Sequence, residues 1–293
     1  MAGLLERLAA GEALVGDGAT GTYLQGKGLG IGEPPEIWNL SHPDVVQGMA
    51  ADYFGAGSDL VETNSFGANR FRIRHAGLED RVAEVNQTAA RLARASAPEN
   101  GLVVGSMGPS GEMLVPLGEA TPGGLSEAFA EQAAALAEGG VDGFCVETMT
   151  ALDEAVLAVR AAKEGTGLPV MATMTFDRGP KGFATSMGVR IDQAVDGLLE
   201  AGADVVGTNC GCGVAQMADI VGEMGAHTEA PILVQPNAGL PELRDGVPYY
   251  PESPEEMAAR YAEMVRAGAR VLGGCCGTGP AHITAIVEAV KGA

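Results

Sequence analysis

The chain has 293 residues, of which 46% are hydrophobic and only 4% aromatic, and its formal net charge is −20. This length suits one or two domains, and so acidic a chain lacks the Lys/Arg excess that binding to nucleic-acid phosphates requires. No uninterrupted apolar run reaches the ~18 residues of a membrane-spanning helix, and five cysteines, two of them adjacent, do not suggest a disulfide framework at this length. We therefore expect a cytoplasmic protein whose reduced thiols bind a metal or react.

The predicted elements alternate regularly along the chain. A short amphipathic helix over residues 1–8 precedes eight short apolar strands at 13–16, 60–63, 102–106, 143–146, 170–174, 205–210, 232–235 and from 271 onwards. Segments of helical period lie between them, over about 42–57, 78–97, 125–138, 151–163 and 192–200.

Near-continuous apolar strands separated by helices are typical of a parallel sheet covered by helices. Eight such units predict an α/β fold, a single (β/α)8 TIM barrel, and we expect residues 1–293 to form this one domain. The alternative is a doubly wound open sheet. It is disfavoured because the first turn lacks the G-x-G-x-x-G spacing of a dinucleotide site.

Residues at the carboxyl ends of the strands build the functional site of such a barrel. Here these positions are polar or contain sulfur: Asp17, Asn64, Ser65, Ser106, Glu147, Thr175, Cys210, Asn237, Cys275 and Cys276. The lysines and the four histidines avoid them, which disfavours Schiff-base chemistry and a histidine proton shuttle. The chemistry that remains is a thiol cluster beside two carboxylates.

Cys210, Cys275 and Cys276 are the candidate metal ligands. Three thiols with one open position match a catalytic zinc site, because a structural site is closed by a fourth protein ligand. A substrate thiol in the open position would be held as a thiolate at neutral pH. Neighbours on a regular strand point in opposite directions, so the glycines at 273–274 and 277 must relax the chain if both adjacent cysteines are to face one ion. Buried free cysteine is also common as a small apolar residue, and spacing alone leaves both interpretations open.

The other two cysteines carry weaker signals. Cys145 lies in the middle of a predicted strand, which favours a core position. Cys212 follows Cys210 by two residues, so it is a fourth ligand, a redox partner or a bystander, and we favour the last.

Several short segments of the chain belong together as a set. They are D-G-A-T-G-T at 17–22, E-T-N-S-F-G-A-N at 62–69, G-P-S-G at 108–111, V-E-T at 146–148, G-T-N-C at 207–210, P-N-A-G at 236–239 and G-G-C-C-G-T at 273–278. Together they resemble the homocysteine S-methyltransferase family, which includes the homocysteine-binding module of cobalamin-dependent methionine synthase and betaine–homocysteine methyltransferase. The similarity covers essentially the whole chain. It implies a zinc-dependent enzyme that makes methionine from homocysteine.

The resemblance also implies roles for single residues. Cys210, Cys275 and Cys276 match the family's zinc ligands, and with Glu147 they form the expected catalytic set. Asp17 and Glu147 match the carboxylates that hold the ammonium group of homocysteine, a role that suits their charge.

The substrate carboxylate would be received by backbone amides. The resemblance places these amides at Gly18, Ala19 and Thr20 and in the region of Ser106. Asn237 matches a position near the metal that, in the family, can occupy the fourth site of zinc when substrate is absent.

The methyl donor is the open part of the resemblance. Segments 62–69 and 236–239 look most like the methionine-synthase module, which receives its methyl group from methylcobalamin on other domains. No D-x-H-x-x-G cobalamin signature is present, so we expect either a separate corrinoid protein as partner or a small donor such as betaine. Trp38 matches a donor-site aromatic of betaine-using relatives, where a ring face binds a quaternary ammonium. The alternatives are a non-autonomous homocysteine-binding subunit and a zinc barrel that methylates another thiol.

Overall fold

A sheet of eight parallel strands forms the centre of the protein. The computed structural model describes residues 2–244 and 247–292. The strands of this sheet are β1 (Leu14–Val15), β2 (Leu60–Glu62), β3 (Leu102–Met107), β4 (Gly143–Met149), β5 (Val170–Met174), β6 (Val205–Gly213), β7 (Ile232–Asn237) and β8 (Ala269–Leu272). Their order is β1-β8-β7-β6-β5-β4-β3-β2, with every ladder parallel. This is a nearly closed (β/α)8 barrel, so the predicted fold class is confirmed.

Helices surround the sheet. In the described ranges they are α1 (Leu4–Ala9), α2 (Thr20–Gly26), α3 (Trp38–Ser41), α4 (Pro43–Gly55), α5 (Arg70–Ile73), α6 (Val82–Ser96), α7 (Pro122–Gly139), α8 (Leu152–Thr166), α9 (Ile191–Glu200), α10 (Val214–His227), α11 (Pro254–Ala258), α12 (Tyr261–Arg266) and α13 (Pro280–Lys291). On α6, Val82, Val85, Ala89 and Ala93 recur every three or four residues and are buried, which is the pattern of a helix packed by one face. None of the helices in these ranges is long and apolar enough to cross a membrane.

The seam between β1 and β2 closes the barrel through few bonds. The Asp59 amide donates to the carbonyl of Val15 (2.7 Å), and the Val15 amide donates back to the Asp59 carboxylate (2.8 Å). That carboxylate also pairs with Arg7 at 2.8 Å and with Lys291 at 2.6 Å. One acidic side chain therefore ties the first two strands to both ends of the described chain.

Side chains that point into the barrel form two layers. The lower layer is apolar and contains one or two residues from every strand: Leu14, Leu60, Leu102, Val104, Cys145, Met171, Val205, Leu233 and Val271, covered from below by Leu4 and Leu8 of α1. Because side chains alternate along a strand, the next inward positions lie two residues further on. The upper layer is polar and buried. It contains five residues at these positions, Glu62, Ser106, Glu147, Thr173 and Gln235, and also Asn209, which lies four residues beyond Val205.

Several elements differ from the predictions. The helix predicted from residue 125 begins at Pro122, since Thr121 Oγ1 accepts from the Gly124 amide and caps it. Two hairpins occupy loops in which we predicted no strands, Asp177–Gly179 with Gly182–Ala184 and Glu242–Arg244 with Val247–Tyr249. The predicted N-terminal helix is present as α1, while Met1, where we placed its start, lies outside the described residues.

Candidate metal and substrate site

The turn after β8 carries two of the three candidate thiols. β8 ends at Leu272, so Cys275 and Cys276 lie beyond the strand and escape its alternation. The Cys275 amide donates to the carbonyl of Pro236 (2.8 Å), and the Ala238 amide donates to the carbonyl of Cys276 (2.9 Å). Both adjacent thiols can therefore face the same side of the barrel, as we predicted from the glycines around them.

Gly277 closes this turn. Its φ is +84°, in the left-handed region that favours glycine, and a Cβ built there would lie 2.2 Å from the ring of Tyr250. Any other residue at position 277 would therefore move either the turn or Tyr250, and with it the cysteines.

Cys210 reaches the site through an irregularity in β6. The ladder with β7 shifts register between Asn209 and Gly213, and Cys210 itself has a φ of +60°, which is uncommon for a non-glycine residue. The hydroxyl of Thr175 donates to the carbonyl of Asn209 (2.9 Å) and holds the strand just before this point. Backbone strain of this kind clusters at functional sites, and here it carries the thiol out of the regular pleat.

The three sulfur atoms form one cluster. The Sγ atoms of Cys210, Cys275 and Cys276 all lie within 4.8 Å of one another, and the Cys210–Cys276 distance is 4.0 Å. Three sulfurs bound tetrahedrally at ~2.3 Å from one zinc ion would be about 3.8 Å apart, so the spacing fits this ion. Soft thiolate ligands favour zinc over Mg²⁺ or Ca²⁺. Residues 2–244 and 247–292 contain no second group of three such ligand side chains.

The cluster is also prepared for a cation electrostatically. Hydrogen bonds from the thiols of Cys275 and Cys276 lower the pKa of Cys210, and the same bonds raise the pKa values of both donors. The side chain of Asn237 also bonds to Cys210, while its Oδ1 atom is buried and has no hydrogen-bond partner among residues 2–244 and 247–292. An unpaired oxygen beside three thiols is a free donor atom for a bound cation.

The remaining two cysteines lie outside this cluster. Cys212 is 3% exposed and packs in the apolar core between sheet and helices, where burial raises its pKa to about 12. Cys145 lies in the lower layer, and its thiol bonds to Glu62. The core position predicted for Cys145 matches this geometry, and Cys212 packs as the expected bystander.

Glu147 lies in the upper layer with both carboxylate oxygens engaged. Ser106 Oγ donates to Oε1 (2.5 Å), and Asn209 Nδ2 donates to Oε2 (3.0 Å). Burial raises the pKa of Glu147 well above its usual range, and the neighbouring carboxylate of Glu62 raises it further. The side chain is therefore fixed in position and lacks a compensating positive charge.

Asp17 connects this carboxylate region to the cysteine turn. Its Oδ2 atom accepts the Glu62 amide (2.8 Å), and its carbonyl accepts the Gly274 amide (2.8 Å). Burial raises the pKa of Asp17 to about 8 and that of Glu62 to about 7, and the nearby carboxylates add to both shifts. No ion pair formed within the described ranges includes Asp17, Glu62 or Glu147. A bound cation would supply the missing charge.

The turn after β1 leads into α2 and is held from behind. The Tyr53 hydroxyl donates to the carbonyl of Ala19 (2.8 Å), and the Ala19 amide donates to the carbonyl of Thr278 (3.2 Å). A Cβ on Gly18 would lie 2.9 Å from both Tyr53 and Thr278, so this packing requires glycine. The amide of Ala19 is therefore already used, which leaves those of Gly18 and Thr20 as the better candidates to bind an anion.

A pocket of about 510 Å³ connects these features. The predicted site residues that line it are Gly18, Ala19, Thr20, Ser106, Glu147, Cys210, Cys275 and Cys276. Asp17 and Asn237 stand behind the wall and touch it through Glu62 and Cys210. The sequence-based selection from strand ends therefore converges on one cavity.

Trp38 is not brought to this cavity. Its side chain is 5% exposed, its ring stacks on His42 with centroids 4.3 Å apart, and it belongs to the apolar core. The aromatic residue on the pocket wall is Phe66, with the Arg72 guanidinium 5.1 Å from its ring centroid. The geometry gives no support to a donor-binding role for Trp38.

Sequence reasoning missed four residues of the site. Glu62 and Gln235 line the pocket, Asn209 orients Glu147, and the Tyr250 side chain bonds to Cys276. The first three sit at inward positions near strand ends, so alternation along each strand contained the signal. Tyr250 lies in a long loop, where no periodicity predicts the direction of a side chain.

These observations define a class of protein, a (β/α)8 barrel with a three-thiol site at the carboxyl ends of its strands. Residues 14–290 match the family model described as homocysteine S-methyltransferase. The chain therefore belongs to the homocysteine S-methyltransferase family, and the resemblance read from its motifs is confirmed.

Individual relatives agree with this family. The chain is 36% identical over 297 residues to the methionine synthase of Mycobacterium tuberculosis, covering 95% of this chain and 25% of that protein. It is also 36% identical over 305 residues to the methionine synthase of Mycobacterium leprae, covering 98% and 25%. The chain thus spans about a quarter of the length of these curated relatives. Among solved structures, the metallated form of the homocysteine methyltransferase MmuM from Escherichia coli has the same fold, with a TM-score of 0.79, 23% identity, and coverage of 95% of this chain and 96% of that one.

Proposed function

We propose that this protein is a zinc-dependent methyltransferase that transfers a methyl group to the thiol of homocysteine and releases methionine. The observation that carries the proposal is the convergence of three Sγ atoms within 4.8 Å in a pocket that also holds buried, uncompensated carboxylates. Membership of the homocysteine S-methyltransferase family supports the same reaction.

Cys210, Cys275 and Cys276 would hold the zinc ion. Zinc bound there supplies a Lewis acid that stabilises a substrate thiolate at neutral pH. The protein keeps the three thiols positioned through the turn after β8 and the irregularity in β6. Metal-binding thiols must stay reduced, and we therefore place the protein in the cytoplasm.

Asn237 is suited to a role before substrate arrives. Its unpaired, buried Oδ1 atom lies on a side chain that already bonds to Cys210. This oxygen would be a fourth donor atom for the ion in the absence of substrate, at the position that the substrate thiol would take.

The amino-acid part of homocysteine would bind beside the thiols. Glu147 would supply negative charge for its ammonium group from the pocket wall and Asp17 from behind it, and Ser106 fixes Glu147 through the 2.5 Å hydrogen bond. The Ser106 amide already donates to the hydroxyl of Thr63 (3.1 Å), so we assign the substrate carboxylate to the amides of Gly18 and Thr20 in the turn before α2. Holding both ends of the substrate aligns its sulfur for in-line attack on the methyl carbon.

The rim of the pocket favours a methyl donor that is carried on a protein. Eight large apolar side chains exposed in the described ranges lie in loops at the carboxyl ends of the strands: Ile31, Met113, Val115, Leu117, Met187, Leu240, Leu243 and Tyr249. A contiguous patch of exposed apolar groups marks a protein contact surface, and the shared position of these loops at one end of the barrel supports such a patch here. A corrinoid protein or domain that holds methylcobalamin is the donor that this rim suits, with a small onium compound such as betaine as the alternative.

A panel of donors tests the proposal. Zinc-loaded protein is incubated with L-homocysteine and, separately, betaine, dimethylsulfoniopropionate, S-methylmethionine or a methylated corrinoid protein, and methionine is measured. Turnover with the corrinoid protein alone supports the protein-borne donor, and turnover with a small donor supports a self-contained enzyme. If homocysteine binds and no donor is used, the protein is a homocysteine-binding subunit; if homocysteine does not bind, the proposal is wrong.

A further inference from the structure

Glu62 is the carboxylate next to Glu147 on the pocket wall. We propose that Glu62 is a substrate-binding residue, which together with Glu147 contacts the ammonium group of the substrate and makes the site prefer thiols that carry one. This inference rests on the proposed function, because it concerns the same pocket and the same substrate.

The geometry distinguishes Glu62 from Asp17. Glu62 and Glu147 both line the pocket and are within hydrogen-bonding reach of each other. Asp17 lies behind the wall, and its Oδ2 atom is used by the Glu62 amide. Asp17 therefore acts as a positioning residue that holds Glu62, and its negative charge reaches the substrate only through this neighbour.

The surroundings of Glu62 hold its carboxylate in place without neutralising it. Gln235 Nε2, from the opposite side of the barrel, donates to Oε1 (3.0 Å), and the Cys145 thiol bonds to the same side chain. Both partners are uncharged donors. Glu62 is thus held in position by uncharged donors and has no positively charged partner in the described ranges, so a cationic ligand would pair with its carboxylate and favour the ionised form.

A second observation points to a ligand with several N–H groups. Gln235 also lines the pocket, and its buried Oε1 atom has no hydrogen-bond partner in the part of the chain that the structure describes. An ammonium group has three donors. Glu62, Glu147 and the free oxygen of Gln235 offer one acceptor to each of them, so an ammonium ion satisfies the unpaired oxygen and the uncompensated charge together.

Zinc-loaded wild-type protein and a Glu62→Gln variant are compared by isothermal titration with two thiols. One is L-homocysteine, and the other is 4-sulfanylbutanoate, which has the same thiol and carboxylate and lacks the amino group. We expect Glu62→Gln to weaken homocysteine binding by about 10- to 100-fold, because the ammonium loses a charged partner. Binding of 4-sulfanylbutanoate should stay within about threefold, and Glu62→Asp, which keeps the charge, should restore part of the preference.

Glu154→Gln is the matched control, since Glu154 is also a buried glutamate but binds the amide and hydroxyl of Ser110 away from the pocket wall. It should leave the ratio of the two affinities unchanged. Zinc content is measured for each protein. If Glu62→Gln lowers the affinities for both thiols equally, or leaves both unchanged, the ratio of the two affinities stays that of the wild type and the proposal is overturned. Wild-type protein that binds both thiols equally would also overturn the proposal, whereas wild-type protein that binds neither thiol would overturn the proposed function itself.

Discussion

The two layers inside the barrel share six strands and on five of these lie two residues apart, yet their chemistry is opposite. On β7, Leu233 packs in the apolar lower layer, while Gln235 in the upper layer has a buried oxygen that accepts no hydrogen bond from any described residue. On β4, Cys145 likewise packs in the apolar layer, while Glu147, two residues further on, places an ionisable carboxyl in the upper layer. The lower layer stabilises the fold through apolar burial. The upper layer lowers the free energy of unfolding, because it buries ionisable groups that have no partner of opposite charge in the described ranges. The candidate site of this barrel therefore lies directly beyond the apolar layer, toward the carboxyl ends of the strands.

The largest expected effect is the loss of a metal ligand. Cys275→Ser should lose zinc and reduce methionine formation by at least ~10³-fold, since the Lewis acid contributes several kcal/mol to the transition state. Cys210→Ser and Cys276→Ser should behave alike. Metal content and turnover are measured on the same preparation. Cys212→Ala is the control, because Cys212 lies two residues from Cys210 and packs in the core; stoichiometric zinc in Cys275→Ser would refute the ligand assignment.

A lower-layer truncation should affect stability and spare the site. Leu233→Ala is expected to reduce the free energy of unfolding by about 2–5 kcal/mol, because Leu233 is 1% exposed and leaves a cavity. Zinc stoichiometry and homocysteine affinity should remain those of the wild type. Gln235→Leu, two residues further along β7, should do the reverse and weaken homocysteine binding with little loss of stability. Chemical denaturation and titration calorimetry on both variants would contradict the two-layer distinction if their effects were alike.

The upper layer should also make stability depend on pH. The pKa of Glu62 is raised from 4.5 to about 7 in the folded protein, so between these pH values the folded state binds more protons than the unfolded state. Stability that is present below about pH 4.5 is therefore lost as the pH rises toward 7. In Glu62→Gln this loss should be smaller by on the order of 3 kcal/mol. Denaturant unfolding of both metal-free, reduced proteins across this range measures the difference, and parallel curves would show that Glu62 is not the group responsible.

The fold was predictable because it depends on a pattern repeated eight times, and errors in single elements do not change the repeat. The three thiols were predictable because strand ends converge on one face, whatever the length of the loops. Glu62 is absent from the predicted site although it stands in the 62–69 segment, because the second strand was predicted to continue to residue 63 and only residues from a strand's last position onwards were candidates. In the structure Glu62 is itself the last residue of β2. The role of Trp38 is inferred from its position in the family, but Trp38 begins the one-turn helix α3, and the direction of its side chain follows from tertiary packing, which no local pattern encodes.

Glu147→Gln should have a smaller effect, confined to substrate binding. The variant keeps the hydrogen-bonding shape and removes one buried charge, so we expect full zinc content and homocysteine affinity about tenfold weaker. Stability should be unchanged or slightly higher, because burial without a counter-charge raises the pKa of this carboxyl and its ionisation costs free energy. Loss of metal without loss of substrate affinity would contradict a role in ammonium binding.

The smallest effect is expected at Trp38. This residue matches a donor-site position of relatives but packs in the core, whereas Phe66 lines the pocket. Trp38→Phe should lower the free energy of unfolding by ~1 kcal/mol through poorer packing on His42, with the KM for the methyl donor unchanged. Phe66→Leu removes an aromatic ring that does line the pocket, so with a small onium donor it should raise that KM. Steady-state kinetics with each donor used by the wild type makes the comparison. A raised KM for the donor in Trp38→Phe at unchanged stability would instead support a donor-binding role for Trp38. A residue that acts only by packing cannot change the KM for the donor while the fold stays equally stable.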